Sequence, residues 1–113
     1  MQPINRSAAI INPKQPFLDW LNSAPDQEHS TMEDITTENT TLLIPEYDNP
    51  DDARRYFKKI YRQIFDFELF AWYRDHNCWP KNRTYKMFLE WFDIKINSEV
   101  FDLLEDEIVK EDF

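Results

Sequence analysis

The chain contains no glycine in 113 residues. Average usage would give about eight glycines in this length. Phosphate-binding loops of the Walker type and the dinucleotide-binding fingerprint each need several glycines at fixed positions, because the backbone must approach the phosphates closely. The sequence therefore excludes both kinds of nucleotide site.

The composition favours one globular domain over residues 1–113. Hydrophobic residues make up 42% of the chain, and 18 side chains are aromatic (4 Trp, 5 Tyr and 9 Phe), which is enough to build a core. One cysteine excludes an internal disulfide, and one cysteine with two separated histidines does not match a zinc-binding spacing. We expect no metal and no cofactor.

The sequence also disfavours a membrane protein. It has no run of about 20 apolar residues, and the N-terminus, with Asn5 and Arg6, lacks the apolar core of a signal peptide. We expect a soluble, cytoplasmic protein.

The net charge of -9 is unevenly distributed. Residues 1–50 sum to -6, residues 51–96 to +3 and residues 97–113 to -6. This pattern favours neutralisation of the basic middle by the acidic ends within one molecule. Nucleic acid is disfavoured as a partner because phosphate binding needs a net basic surface.

The first half of the chain predicts two strands and a helix. Strands are predicted at 6–12 and 41–47, and a helix at 16–23 begins with a proline. Between the predicted helix and the second predicted strand, residues 22–40 are expected to form an acidic loop. Within it the spacing of Ser30 and Glu33 permits a short helical turn.

A long helix is predicted at 50–75. Asn49 can cap it, and Pro50 can occupy its first position. Six apolar side chains recur at helical spacing: Ala53, Phe57, Ile60, Ile64, Phe67 and Ala71. Five basic side chains lie opposite: Arg54, Arg55, Lys58, Lys59 and Arg62. Beyond Arg62 the helix is apolar on nearly all sides, which indicates either entry into the interior or a surface that binds a partner.

A helix at 84–93 and a third strand from Ile96 onward complete the prediction, and residues 105–113 form an acidic tail. The apolar residues Val100, Phe101, Leu103 and Leu104 favour this strand. The expected fold is α+β, with a small three-stranded sheet, at least partly antiparallel, covered on one face by one long and two shorter helices.

Four segments carry a resemblance: 13–21, 43–46, 79–84 and 88–92. They resemble a family of small, uncharacterised bacterial proteins with no established activity, and the resemblance extends over most of the chain. It implies a bacterial, cytoplasmic, single-domain protein and transfers no functional residue.

Two groups of side chains are candidates for chemistry. Glu68 lies among aromatic residues, where its pKa would be raised, and it could act as a general acid; a buried ion pair with Arg83 or Arg6 is the favoured interpretation. His76 and Cys78 could in principle support nucleophilic catalysis. The favoured interpretation is that Cys78 fills the core and His76 ends the long helix.

The function most favoured is that of a non-enzymatic, acidic protein-interaction module that binds a basic protein, as an inhibitor, an antitoxin-like protein or a nucleic-acid mimic does. Its candidate binding residues are Trp72, Trp79, Trp91, Arg83 and Glu68. One alternative is a small-molecule-binding or weakly catalytic domain around Glu68, His76, Cys78 and Arg83. Another is a homodimer that packs Phe65, Leu69 and Trp72 against a second copy.

Overall fold

A computed structural model describes residues 1–112. Its centre is an antiparallel sheet in the order β3-β2-β4, formed by Ser7–Pro13 (β2), Thr40–Ile44 (β3) and Phe92–Asn97 (β4). Ala9 is opposite Leu42 on one side and Ile96 on the other. The α+β prediction with a three-stranded sheet and one long helix is confirmed.

The central strand β2 is the most buried of the three, because a strand pairs with each of its edges and the helices cover one of its faces. Ala9 and Ile11 face the helices and are fully buried. Ser7 begins this strand, and its buried hydroxyl donates to Ser98 O at 2.8 Å and accepts from Tyr47 N at 3.3 Å. These two bonds connect the chain before the long helix with the chain after β4.

The first helix is Gln15–Ser23 (α1), close to the predicted 16–23. The predicted turn in the 22–40 loop exists as Met32–Thr36 (α2), with a capping box shifted by one residue from the expected pair. Thr31 Oγ1 accepts from Asp34 N, and Asp34 Oδ2 accepts from Thr31 N. These hydrogen bonds lower the pKa of Asp34.

The longest helix is Pro50–Trp72 (α3), three residues shorter than predicted. Asn49 Oδ1 accepts from Asp51 N at 2.9 Å, so the expected cap is present. The predicted stripe is confirmed for Ala53, Phe57 and Ile64, which are buried, and Ile60 packs against the core. It is wrong for its last two residues. Phe67 and Ala71 are exposed, whereas Phe65 and Leu69 are fully buried.

This change of buried side has a cause outside α3. The helix Tyr85–Trp91 (α4) packs against the second half of α3, and Phe65 contacts three of its neighbouring rings there: Phe88, Trp91 and Phe92. The apolar residues beyond Arg62 therefore enter the interior on one side. On the other side they remain at the surface.

The predicted third strand is wrong in its position. β4 begins at Phe92, directly after α4, and ends at Asn97, whereas Phe101–Asp102 (β5) pairs with Gln2–Pro3 (β1) in a separate two-stranded sheet. Leu103 and Leu104 lie outside both strands. The alternation of apolar and polar residues in β4 is visible in the sequence. The spacing of Phe88 and Phe92, however, also fits a helix, which is why the predicted helix continues past Phe92.

The lack of glycine is met by asparagine and aspartate. Asp26 (φ 57°) follows α1, and Asn82 (φ 52°) precedes α4, both in the left-handed region. These two residue types tolerate that region best after glycine. Turns that elsewhere use glycine are therefore built here without it.

The sheet is covered on one face only. Thr40, Leu42 and Ile44 face the helices, while Thr41 and Leu43 lie on the other face and are exposed. Strand β3 is at the edge of this sheet and pairs, among the strands of residues 1–112, with β2 alone. One edge and one face of the sheet are therefore accessible.

Candidate interaction surface

Trp79 lies in the connection between α3 and α4, here called the Trp79 corner, and the polar groups of this corner form hydrogen bonds within the molecule. Its indole Nε1 donates to Tyr73 O at 2.7 Å, its ring stacks on His76 at 4.2 Å, and Arg83 lies 5.7 Å from the ring centroid. Trp20 Nε1 donates to Cys78 O at 2.8 Å. The corner attaches the segment after α3 to α1.

Trp91 and Trp72 pack against the core. Trp91 contacts Phe17, Trp20 and Phe65, and Trp72 is half-buried beside the same cluster. The three candidate tryptophans are thus partly buried and pack against the core, with only part of each side chain exposed to solvent. Phe65 and Leu69, the residues expected at a dimer interface, are buried within the molecule, so a dimer would have to use another surface.

Arg83 pairs with a different carboxylate from the expected one. Its Nε and Nη2 both lie 3.0 Å from Asp66 Oδ1, and Nη1 donates to Pro80 O at 2.7 Å. Arg6 donates to Asn5 O. The expected ion pair of Glu68 with either arginine is therefore wrong: Asp66 and Glu68 are two positions apart, so they project from nearly opposite sides of the helix.

Glu68 lies on the sheet-facing side of α3 and is only 4% exposed. Its Oε1 has no hydrogen-bond partner within residues 1–112. Burial raises the pKa of Glu68, and a hydrogen bond with Thr40 opposes the shift in part. A buried carboxyl with one oxygen unpartnered destabilises the fold, and most strongly when it is ionised.

The structure does not assemble the four residues of the catalytic alternative. His76 and Cys78 lie at the Trp79 corner with Arg83, whereas Glu68 faces the sheet. The Cys78 thiol lies 3.9 Å from Asp75 Oδ2, and Asp75 also caps the short 3-10 helix His76–Cys78. Burial and the nearby thiol raise the pKa of Tyr73, whose hydroxyl donates to Pro25 O at 3.0 Å.

Two of the five basic side chains of α3 form ion pairs within the helix itself. Arg54 pairs with Asp51 and Arg55 with Asp52, each one turn away and exposed. Within residues 1–112 no ion pair joins this helix to the 22–40 loop or to the tail. Neutralisation of the basic middle by the acidic ends therefore stays a prediction.

The tail is exposed from end to end as far as it is described; its last residue, 113, lies outside the described residues. Glu105, Asp106 and Glu107 are accessible, and four apolar side chains beside them are 59–75% exposed: Leu103, Leu104, Ile108 and Val109. All three acids line a cleft of about 410 Å³, which Arg6 and Leu43 also line. The acidic tail therefore lies beside the accessible face of β3.

A second, more apolar groove of about 210 Å³ runs between β3 and α3. Six of its lining residues are Leu42, Leu43, Tyr56, Ile60, Gln63 and Phe67. Leu43 is 50% and Phe67 is 40% exposed. An accessible strand edge therefore borders an apolar groove on one side and acidic side chains on the other.

This surface was only partly indicated by the sequence. Ile60 and Phe67 were assigned to the core, and β3 was recognised as a strand without its neighbours being known. The signal that could have located the groove is the excess of apolar residues around the second half of α3, since one domain cannot bury all of them.

No protein-family model matches the chain, and neither curated protein sequences nor solved structures gave a match. Within residues 1–112, no cluster of three or more His, Cys, Asp or Glu side chains is arranged to hold a metal ion. In the same range, none of the helices combines the length and apolar character needed to cross a bilayer. The resemblance to a bacterial family remains a prediction.

Proposed function

We propose that this chain is a non-enzymatic interaction protein that binds a basic protein through its acidic tail and the neighbouring edge of the sheet. The observation that carries the proposal is the tail itself. Glu105, Asp106 and Glu107 are accessible and pair with no cation in residues 1–112. Carboxylates concentrated in this way attract a cationic surface and accelerate its association.

The apolar side chains in the tail and directly before it support the same function. Leu103, Leu104, Ile108 and Val109 expose apolar surface that folding does not bury. Contiguous exposed apolar residues beside charges are typical of interaction sites. A partner that covers them would add apolar burial to the electrostatic attraction.

The experiment is a pull-down from lysate of the native host at low salt, with and without nuclease. The bait is either the natural protein or the tail variant Glu105→Gln, Asp106→Asn, Glu107→Gln. A control variant, Asp19→Asn, Glu90→Gln, Asp93→Asn, removes the same charge from exposed sites on α1, α4 and β4.

We expect the natural protein and the control variant to retain a basic protein that salt releases and nuclease does not affect. The tail variant should lose it. Equal retention by the tail variant, release by nuclease, or no captured protein would contradict the proposal.

A further inference from the structure

We propose that the edge of β3 is the docking strand for the partner: an extended segment with alternating apolar and basic residues adds to the sheet as a fourth strand. This inference rests on the proposed function and specifies how the partner binds. An edge strand presents unpaired peptide N–H and C=O groups, which an incoming strand can satisfy.

The edge lacks the usual protection against pairing. Thr40–Ile44 contains no charged residue and no proline, and Pro45 comes only after its end. The opposite edge, β4, carries Asp93 and Lys95. The two edges therefore differ in how readily they accept another strand.

The alternation of the partner follows from the two sides of β3. A fourth strand would direct every second side chain toward the groove formed with α3, where Tyr56, Ile60 and Phe67 offer apolar contacts. The intervening side chains would lie on the open face, beside Leu43 and the acidic tail. Apolar residues suit the first set, and lysine or arginine suits the second.

The charges around β3 argue for a basic segment over a second copy of this chain. Glu38 precedes the strand, Glu46 and Asp48 follow it, and the acidic tail lies beside it. In an antiparallel pair of two β3 strands centred on Leu42, Glu38 of each copy would be opposite Glu46 of the other. Like charges at both ends oppose that pairing, whereas a cationic strand is attracted.

The probe is a synthetic peptide of about seven residues that alternates valine and lysine, a typical strand length. Binding is measured by isothermal titration calorimetry at low salt. Two further peptides are N-methylated at every second residue, in the two possible frames. In an antiparallel pair only one set of alternate N–H groups faces the neighbouring strand, so one frame should abolish binding and the other should not.

The groove is tested with Phe67→Ala. Phe70→Ala is the matched control, because Phe70 is on the same helix, is similarly exposed (37% against 40%) and does not line the groove. We expect Phe67→Ala to weaken binding of the valine-lysine peptide about tenfold, from lost apolar burial. The Phe70 variant should stay within about twofold.

Three results would overturn the docking mode. They are equal binding of both N-methylated frames, no binding of the unmodified peptide, and a dimer in sedimentation velocity that Phe67→Ala dissociates, which would place a second copy in the groove. If the pull-down still depends on the tail acids in any of these cases, the proposed function stands and only the strand addition fails.

Discussion

Two acidic segments of the chain, residues 24–39 and residues 103–112, carry five carboxylates each and fold differently. The first, between α1 and β3, contains α2 and buries Ile35. The second exposes all its apolar side chains although it has more of them. Apolar content therefore does not decide which segment packs.

The two segments differ in how their ends are connected to the folded core. The segment 24–39 is closed at both ends by elements of the core, so the entropy of bringing its ends together is already lost when α1 and β3 pack. Segment 103–112 follows β5, and within residues 1–112 no helix or strand comes after it. Each contact that this segment made would have to compensate the ordering entropy of its residues, and its apolar side chains are exposed.

The largest effect is expected at Ile35, which is 1% exposed. Ile35→Ala should lower the free energy of unfolding by about 2–4 kcal/mol, because it leaves a cavity under α2. The matching substitution in the tail, Ile108→Ala, should change it by less than about 0.5 kcal/mol. Urea unfolding of both variants provides the measurement. Similar losses would show that the two segments are packed alike.

A smaller loss in the free energy of unfolding is expected when Asn22 is substituted. Its side chain donates to Ser30 O at 2.9 Å and accepts from Ser30 N at 2.8 Å, so it closes the turn between α1 and α2. Asn22→Ala leaves both groups of the mostly buried Ser30 without a partner and should cost about 1–3 kcal/mol. Asp102→Ala removes the corresponding bond at the start of the tail, which Asp102 Oδ1 accepts from Leu104 N.

Urea unfolding again compares the two, with amide exchange at Ser30 as a local readout. We expect Asp102→Ala to stay within about 0.5 kcal/mol of the natural protein. A loss for Asp102→Ala as large as that for Asn22→Ala would remove the distinction between the segments.

The segment 24–39 leads directly to Thr40, which contacts Glu68, and this contact predicts a pH dependence. The pKa of Glu68 is raised above its ordinary value of 4.5 in the folded state, because the side chain is buried. Its protonated form is favoured by folding, so this contribution to stability is present below pH 4.5 and is lost as the pH rises through the folded pKa.

Glu68→Gln removes the ionisation and should raise the free energy of unfolding by about 1 kcal/mol at neutral pH, with less gain near pH 4. Urea unfolding across this pH range tests it, with Glu107→Gln in the tail as a variant that should show no such trend. A destabilised Glu68→Gln protein at neutral pH would mean that the carboxylate has a stabilising partner.

The smallest effect on stability is expected from removing the tail. A chain that ends after Asp102 keeps the pairing of β1 and β5 and should unfold within about 0.5 kcal/mol of the full protein. It should nevertheless fail to retain the basic partner in the pull-down. A loss of more than about 1 kcal/mol would show that the tail contributes to folding.

The helices were predictable because their signals are local. Asn49 and Pro50 begin α3, and the segment after Pro16 forms α1 as its spacing predicts. The candidate site was less predictable. The sequence identified the acidic tail, but it assigned Phe67 to the core and paired Glu68 with Arg83, because both assignments depend on which elements pack on each side of α3.

The sequence by itself determined the main helices, the first two strands of the central sheet, the absence of glycine-based nucleotide loops and the acidic ends, since each depends on residue type and short-range spacing. The tertiary structure alone decided that β3 is an edge, that α4 covers one side of α3 and leaves Phe67 at the surface, and that Glu68 is buried without an arginine. These features depend on contacts between residues far apart in the chain. Local periodicity shows that a helix has an apolar side, but only the neighbouring elements determine how much of that side they cover.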